Sequence, residues 1–450
     1  MTLRSFIVLV PAIFSGGLLT HYIWPDRAFK SMLVKLFLGA GLGLGLNSFL
    51  FLIFLLLFNR QPGFVLVQLI LLVALTFLVF SKERDHPFKP GALKLPNAVQ
   101  SGFLLALGLT AILALLTSVA VSLGKPQGAW DSWMIYNRTA RFLYRGGDHW
   151  MDAFSPDLYW YFHADYPPML ALNIASGWDT LGQETIRMPM ALGGAFLFGS
   201  AGLMFAGLNA FKTLGQASLG MIVLFTISDY IDLGSKQVAD IPLSFFILAT
   251  GVLIFLYAVR KHRGLLVLAG LSAGLAAWTK NEGIVFMLVS LIGLGVTYRN
   301  HLKGVFPWYL LGLAVPMVIL FYFKIAMAPP GDLFVDIPSQ LRQITDAERH
   351  HEILKELSVD LMSLVNWKLL LVYALILGVS RPGPSASAYL ACAFFILLQL
   401  AGYYSILLIS PHNVLWHLSA LYRLLLQIGP LIVFYYFCVV RPPETVFQPR

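Results

Sequence analysis

Charge is what this sequence has least of. Only 12% of its 450 residues are Asp, Glu, Lys or Arg, against 58% hydrophobic, and the mean hydropathy is +0.76. Soluble chains are about a quarter charged, so a soluble enzyme, a disordered chain, a coiled coil and a nucleic-acid-binding module are excluded. Cysteine is also scarce. Cys392 and Cys438 both fall inside apolar runs and offer neither a disulfide framework nor metal-ligand spacing. The marks of a signal peptide are missing: Arg4 is the one early positive charge, and no small-residue cleavage site precedes Trp24. The first apolar run is therefore expected to be a membrane span.

What the chain does have is a succession of apolar runs divided by short polar loops. Crossing about 30 Å of hydrocarbon takes roughly 20 such residues. Thirteen spans are predicted, at 5–24, 32–58, 63–80, 100–123, 187–208, 214–228, 241–259, 264–279, 283–298, 304–325, 367–380, 386–409 and 419–440. The expected fold class is an all-α polytopic membrane protein with membrane lipids around it and no nucleic-acid partner.

Alternating the sides gives a charge balance. Segments 25–35, 81–99, 209–213, 260–263, 299–303, 381–385 and 441–450 hold 16 Lys+Arg against 4 Asp+Glu, while the rest holds 15 against 18. Cytoplasmic loops retain Lys and Arg near span ends, so the first set is predicted to be cytoplasmic. Two long loops, 124–186 and 326–366, then face outward, each with seven carboxylates. Connections elsewhere are too short to build a pocket.

The first outer loop opens GAWDSWMIYNRTARFLYRGGDHW. Asp131 and Ser132 start a predicted helix running to Tyr144, with Arg138, Arg141 and Arg145 on one face and Trp130, Trp133 and Tyr136 as interfacial aromatics. Asp131 has two readings: an ordinary helix cap, or a carboxylate held at the membrane surface within reach of a lipid headgroup. Further on, YWYFHADYPPMLALNIASGWDTLG predicts a second surface helix led by Pro167 and Pro168. His163 and Asp165 precede it, as plain surface polar residues or as part of a site. Asp240 in ADIPLSFF, with Lys280 and Glu282 in WTKNEG, lies close to the hydrocarbon on the same side. Each is an anchor when taken alone. Arg423, in LSALYRLLLQIGP, sits within the last span and is costly there unless it snorkels or binds an anion.

Other signals fail. Gly39, Gly41, Gly43 and Gly45 lie inside an apolar span, so their spacing predicts close helix packing rather than a phosphate loop. His350, His351 and Glu352 lack the second His of a zinc-protease helix, because Lys355 stands there. The stretch 337–362 is predicted to be an amphipathic lid.

Taken in order, these motifs resemble the C-type (GT-C) membrane glycosyltransferases, relatives of protein O-mannosyltransferases and of the transferases that add aminoarabinose to lipid A. The likeness runs over residues 100–300. It rests on an acid early in the first outer loop (WDSW), a proline-led helix (YPPML) and an Arg-bearing span start (TIRMPMAL). An acid–Pro pair (ADIPL) and a Gly-rich span closing on Lys (GLSAGLAAWTKNEG) complete it, with Arg423 a more distant element. The chain departs from many relatives in having Ser132 where a second acid stands, and in placing three spans before the family-like part.

The resemblance implies a GT-C-like bundle. In it, 1–99 are additional N-terminal helices, 100–325 a catalytic module, 326–366 an outer amphipathic loop and 367–450 C-terminal helices. It implies transfer of a sugar from a polyprenyl-phosphate donor to a glycan, lipid or protein acceptor. The transfer would invert the anomeric centre, at the periplasmic face of a bacterial-type inner membrane. Asp131 would be the general base, and Lys280, Arg187 and Arg423 would hold the phosphate. Asp165, His163, Asp240 and Glu282 would position sugar or acceptor. Some relatives use a divalent metal, for which Asp131, Asp240 and Glu282 are the available carboxylates, although nothing in the sequence requires one. The rival expectation is a transporter or flippase of lipid-linked sugars, and a scaffold subunit is a third. Against the rival, the chain shows no convincing internal repeat.

Overall fold

The computed structural model describes residues 3–59, 63–83, 96–159, 162–331, 333, 336–381 and 383–446. Most of the predicted loop at 81–99, and Trp160 and Tyr161 at the head of the proline-led segment, lie outside them. Every regular element among the described residues is helical, apart from one isolated bridge between Val379 and Val440.

The chain opens with α1 (Arg4–Ile23), α2 (Phe29–Phe58), α3 (Phe64–Glu83) and α4 (Ala98–Gly124). The outer loop then carries a π-helical turn (Ser132–Tyr136), α5 (Asn137–Arg145) and α6 (Met169–Leu181). Next come α7 (Arg187–Phe211), α8 (Leu214–Thr226), α9 (Ser228–Ser235), α10 (Asp240–Arg260), α11 (Arg263–Thr279), α12 (Asn281–Thr297) and α13 (Leu302–Ala326). The chain closes with α14 (Ile337–Gln343), α15 (Ala347–Leu364), α16 (Trp367–Leu377), α17 (Ala386–Ile409) and α18 (Leu421–Val439).

Among the described residues, nine helices are long and apolar enough to cross a membrane, or up to eleven if the bent pairs α8–α9 (73°) and α15–α16 (60°) each count as one span. The other two predicted spans are α11 and α12, at 17 residues each, or roughly 26 Å of helix. By length, then, the structure supports nine to eleven spans, and the count reaches thirteen only if α11 and α12 also cross.

Burial follows sequence. Helix α10 is apolar nearly all round and sits at the centre, buried over almost its whole length, whereas α3 and α4 are mostly exposed and form the periphery. The glycines of α2 pack as expected. A Cβ on Gly39 would lie 2.5 Å from the backbone of Gly17, and one on Gly43 2.0 Å from the Ala12 carbonyl. Gly41 and Gly45, on other sides of α2, meet Phe245 of α10 and Leu275 of α11.

The loops fall into two groups at opposite ends. At one end Lys30 donates to the Asn209 carbonyl (2.6 Å), Arg27 pairs with Glu83 (3.1 Å), Lys212 donates to Ser380 (3.0 Å) and Thr213 to Glu444 (2.5 Å). These contacts join segments that the charge balance assigned to one side, with Ser380 the last residue of the span that leads into one of them. At the other end Ala129 donates to the Lys236 carbonyl (3.1 Å) and Lys324 to that of Asp165 (2.6 Å). The 21 residues of α10, a rise of about 30 Å, separate Asp240 at this end from Arg260 at the other.

The proline-led segment departs from expectation. Helix α6 is not a surface helix, since every residue from Met169 to Trp178 is buried. A polar network fixes it to the N-terminal helices. Gln68 of α3 donates to Asn47 of α2 (2.6 Å), Asn47 donates to Asn173 (3.0 Å) and Ser176 (3.1 Å), and Asn173 donates to the Leu44 carbonyl (3.0 Å). Buried amide N–H groups need acceptors; those of Gln68, Asn47 and Asn173 find them within this network, which pins the outer loop onto α2.

Candidate functional site

At the loop-rich end, five charged side chains meet although their residues are up to 292 positions apart. The centre is Asp240, the first residue of α10, whose carboxylate is 0% exposed. One oxygen, Oδ2, accepts from Arg423 Nη2 (2.7 Å) and Nε (3.2 Å). The other, Oδ1, accepts from Lys280 Nζ (3.1 Å) and Gln427 Nε2 (2.7 Å). Gln427 is held in turn by the Tyr403 hydroxyl (2.9 Å). Four donors on one buried carboxylate is what burial of a charge demands.

Lys280 is presented by a break in the chain. Its extended backbone (φ −162°, ψ 157°) separates α11 from α12. Gly283 lets the two helices close up, because a Cβ there would sit 1.8 Å from the Ala276 carbonyl. Besides Asp240, Lys280 Nζ contacts Glu282 at 2.8 Å. Arg423, in the first turn of α18, bridges outward to Asp131 Oδ2 at 2.5 Å. The guanidinium that sequence left to snorkel or to bind an anion is thus paired with two carboxylates of the protein itself. In sum, three carboxylates face two cations.

The cap reading of Asp131 does not hold, since its carboxylate makes no side-chain capping bond and turns to Arg423. Nor is the helix regular from Asp131 to Tyr144. A π-helical turn over Ser132–Tyr136 precedes α5; such turns are frequent at functional sites. Ser132 ties this turn to α9, donating to the Lys236 carbonyl. Trp130 and Trp133 are exposed (44% and 43%) as interfacial aromatics, but Tyr136 is only 3% exposed. Its hydroxyl has no hydrogen-bond partner among the described residues. Burial, reinforced by Asp131 and Asp240, pushes the phenol well above its ordinary pKa, so it remains a neutral donor.

Asp165 and His163 stand beside this centre rather than in it. Asp165 accepts from Asn281 (2.7 Å) and lies 3.7 Å from Lys324, which also bonds Asn281 (2.8 Å). His163 adopts the left-handed region (φ 43°) and stacks on Tyr166 at 4.5 Å; that ring lies 5.9 Å from Lys280 Nζ. Arg187 is not brought in. It is exposed at the start of α7, and its side chain makes no hydrogen bond or ion pair among the described residues. The arginines of α5 divide: Arg141 (3.6 Å) and Arg145 pair with Glu184, while Arg138 lies over the Phe162 ring at 4.7 Å, where burial lowers its pKa to about 10.

Sequence reasoning missed Tyr136, Gln427, Tyr403 and Lys324. Asn281 stood within a quoted motif, but nothing marked it as the link between Lys324 and Asp165. No three His, Cys, Asp or Glu among the described residues form a group suited to a metal ion. Asp131, Asp240 and Glu282 are directed at cations instead, so these residues do not fit a divalent metal. His350 is likewise engaged elsewhere, hydrogen-bonded to Tyr404.

A cavity of about 370 Å³ opens beside the first turns of α18, lined by Ile227, Asp229, Asp360, Asn366 and Tyr422 among others; Arg423 does not line it. It lies where the breaks of α8–α9 and α15–α16 meet α18. Small-molecule sites have volumes of this order. Compared with protein families, with characterised proteins and with solved structures, the chain matches none.

Proposed function

We propose that this chain is a membrane glycosyltransferase. It moves a sugar from a polyprenyl-phosphate donor to a glycan, lipid or protein acceptor, with inversion, at the periplasmic face of a bacterial-type inner membrane. In this reading all thirteen apolar segments cross the bilayer and the carboxylate-rich end faces outward, in accord with the retention of Lys and Arg on the cytoplasmic side. The observation that carries the proposal is the shared guanidinium: Arg423 joins Asp131 (2.5 Å) to the buried Asp240 (2.7 Å), beside Lys280.

The chemistry follows from that geometry. The acceptor oxygen attacks the anomeric carbon while its proton passes to Asp131. The bond from that carbon to the phosphate oxygen breaks, and its electrons stay with polyprenyl phosphate. The donor is a phosphodiester and the product a monoester, so negative charge grows on the leaving group. Cations are needed where it grows, not a second acid. Arg423 and Lys280 are the cations in place. The incoming phosphate competes with Asp131 for Arg423, because Asp240 is locked by Lys280 and Gln427 and Asp131 is not. Donor binding therefore frees the base at the moment it is needed. The Tyr136 hydroxyl is a further donor for the sugar or phosphate.

Purified protein in liposomes, given a polyprenyl-phosphate sugar and a mixture of acceptor glycolipids, is expected to release polyprenyl phosphate. A transporter of lipid-linked sugars is the second reading, favoured by the two bent helix pairs (73° and 60°), since transporters build their sites on broken helices. Movement of intact donor across the bilayer with no released polyprenyl phosphate would establish that reading instead.

A further inference from the structure

The break that presents Lys280 is tied down a second time, by the residue next to it. Lys280 pairs with Asp240 and Glu282, whereas Asn281, the first residue of α12, turns to the outer loop. Its amide donates to Asp165 Oδ2 (2.7 Å), and its oxygen accepts from Lys324 Nζ (2.8 Å). Lys324, near the end of α13, closes the triangle by donating to the Asp165 carbonyl (2.6 Å). The outer loop, the start of α12 and the end of α13 meet at these three residues.

The loop makes a further contact one residue on, where the Tyr166 ring lies 5.9 Å from Lys280 Nζ. Two dipeptides therefore interlock, 165–166 on the loop and 280–281 at the break, and Lys324 is bonded to both. Closure alone does not call for this arrangement, since packed hydrocarbon often stabilises a joint as well as a buried ion pair does. Hydrogen bonds add direction, and the direction fixed here is that of the chain at Lys280. The ion partner of Lys324 is Asp165 at 3.7 Å, and among the described residues it bonds none of Asp240, Glu282 and Asp131. Its link to the charged cluster runs through Asn281 and Asp165.

We propose that Lys324 is a positioning residue: through Asn281 it sets the ammonium of Lys280 where the donor phosphate arrives. This rests on the transferase reading, in which Lys280 holds that phosphate.

Polyprenyl phosphate binding tests the link without turnover. Its affinity for the full-length protein is read by native mass spectrometry, with melting curves as the folding control. The variants are Lys324→Met, Asn281→Ala, Lys280→Gln, whose amide can still donate to Asp240, and the Lys324→Met/Lys280→Gln double variant. Asn281→Ala leaves the contacts between Lys324 and Asp165 in place and removes only the link, so it serves should Lys324→Met fail to fold. Each single variant should weaken polyprenyl phosphate about tenfold, the size of one charge-assisted hydrogen bond. Residues that act through one another are not additive, so the double variant should bind within about threefold of Lys280→Gln alone; a merely structural clamp would show no such dependence on Lys280. With the native protein binding polyprenyl phosphate, the inference is overturned if any folded single variant binds as the native protein does. A further loss of more than about threefold from Lys324→Met on the Lys280→Gln background overturns it too. Absence of binding to the native protein overturns the transferase reading and this inference with it.

Discussion

Replacing Asp240 with Asn and replacing Asp131 with Asn should have unequal consequences for stability. The Asp240 side chain is 0% exposed and that of Asp131 19%. Asp240 accepts from Arg423, Lys280 and Gln427, and an amide at that position must point its NH2 at one of those donors. Breaking a buried ion pair costs about 3–5 kcal/mol. Arg423 and Lys280 keep Asp131 and Glu282 as partners, so the lower end, about 3 kcal/mol, is expected. Asp131 makes one ion pair near the surface, worth about 1 kcal/mol or less. Denaturant unfolding in micelles, followed by tryptophan fluorescence, reads both differences. A stability loss for Asp131→Asn as large as for Asp240→Asn would refute the division into a structural and a reactive carboxylate.

Other consequences are local. Gly16→Ala, whose Cβ would lie 2.0 Å from the Gly39 carbonyl, should cost about 1–3 kcal/mol by overpacking, whereas Gly17→Ala should be neutral; equal melting temperatures would contradict this helix contact. Tyr136→Phe removes a buried hydroxyl that has no partner among the described residues, so stability should be unchanged or rise by about 1 kcal/mol while transfer slows; a marked loss of stability would reveal a structural bond instead. Both native cysteines are buried, so single cysteines report cleanly on sidedness. In intact cells, an impermeant thiol reagent should label Asp157→Cys and spare Asn300→Cys, and the reverse pattern would invert the proposed orientation.

The bundle was legible because its physics is one-dimensional: a span must be apolar for its whole length, and glycine at positions 39 and 43 must serve close packing wherever the partner lies. The two-ended sorting of loops was legible for the same reason, through Lys and Arg near span ends. The site was legible only in its charged members. Asp131, Asp240, Lys280, Glu282 and Arg423 stood out because charge next to hydrocarbon is expensive. Gln427, Tyr403 and Tyr136 did not, because polar and aromatic residues near an interface are ordinary. Helix α6 was misjudged because its polar residues, Asn173 and Ser176, suggest a solvent-facing side; their partner Asn47 lies 126 residues away from Asn173, beyond any local pattern. Arg187 shows the reverse failure, a charge in a family-like position that the fold leaves outside the cluster.

Donor turnover and donor affinity measured together on Asp131→Asn bear most directly on the role of that carboxylate. Loss of a general base slows transfer by about 10² to 10⁴. Because Arg423 is then no longer shared with a carboxylate at 131, the variant should bind polyprenyl-phosphate sugar at least as tightly as the native protein. Release of polyprenyl phosphate within threefold of the native rate, or donor binding lost along with turnover, would contradict a base that is set free by the arriving phosphate.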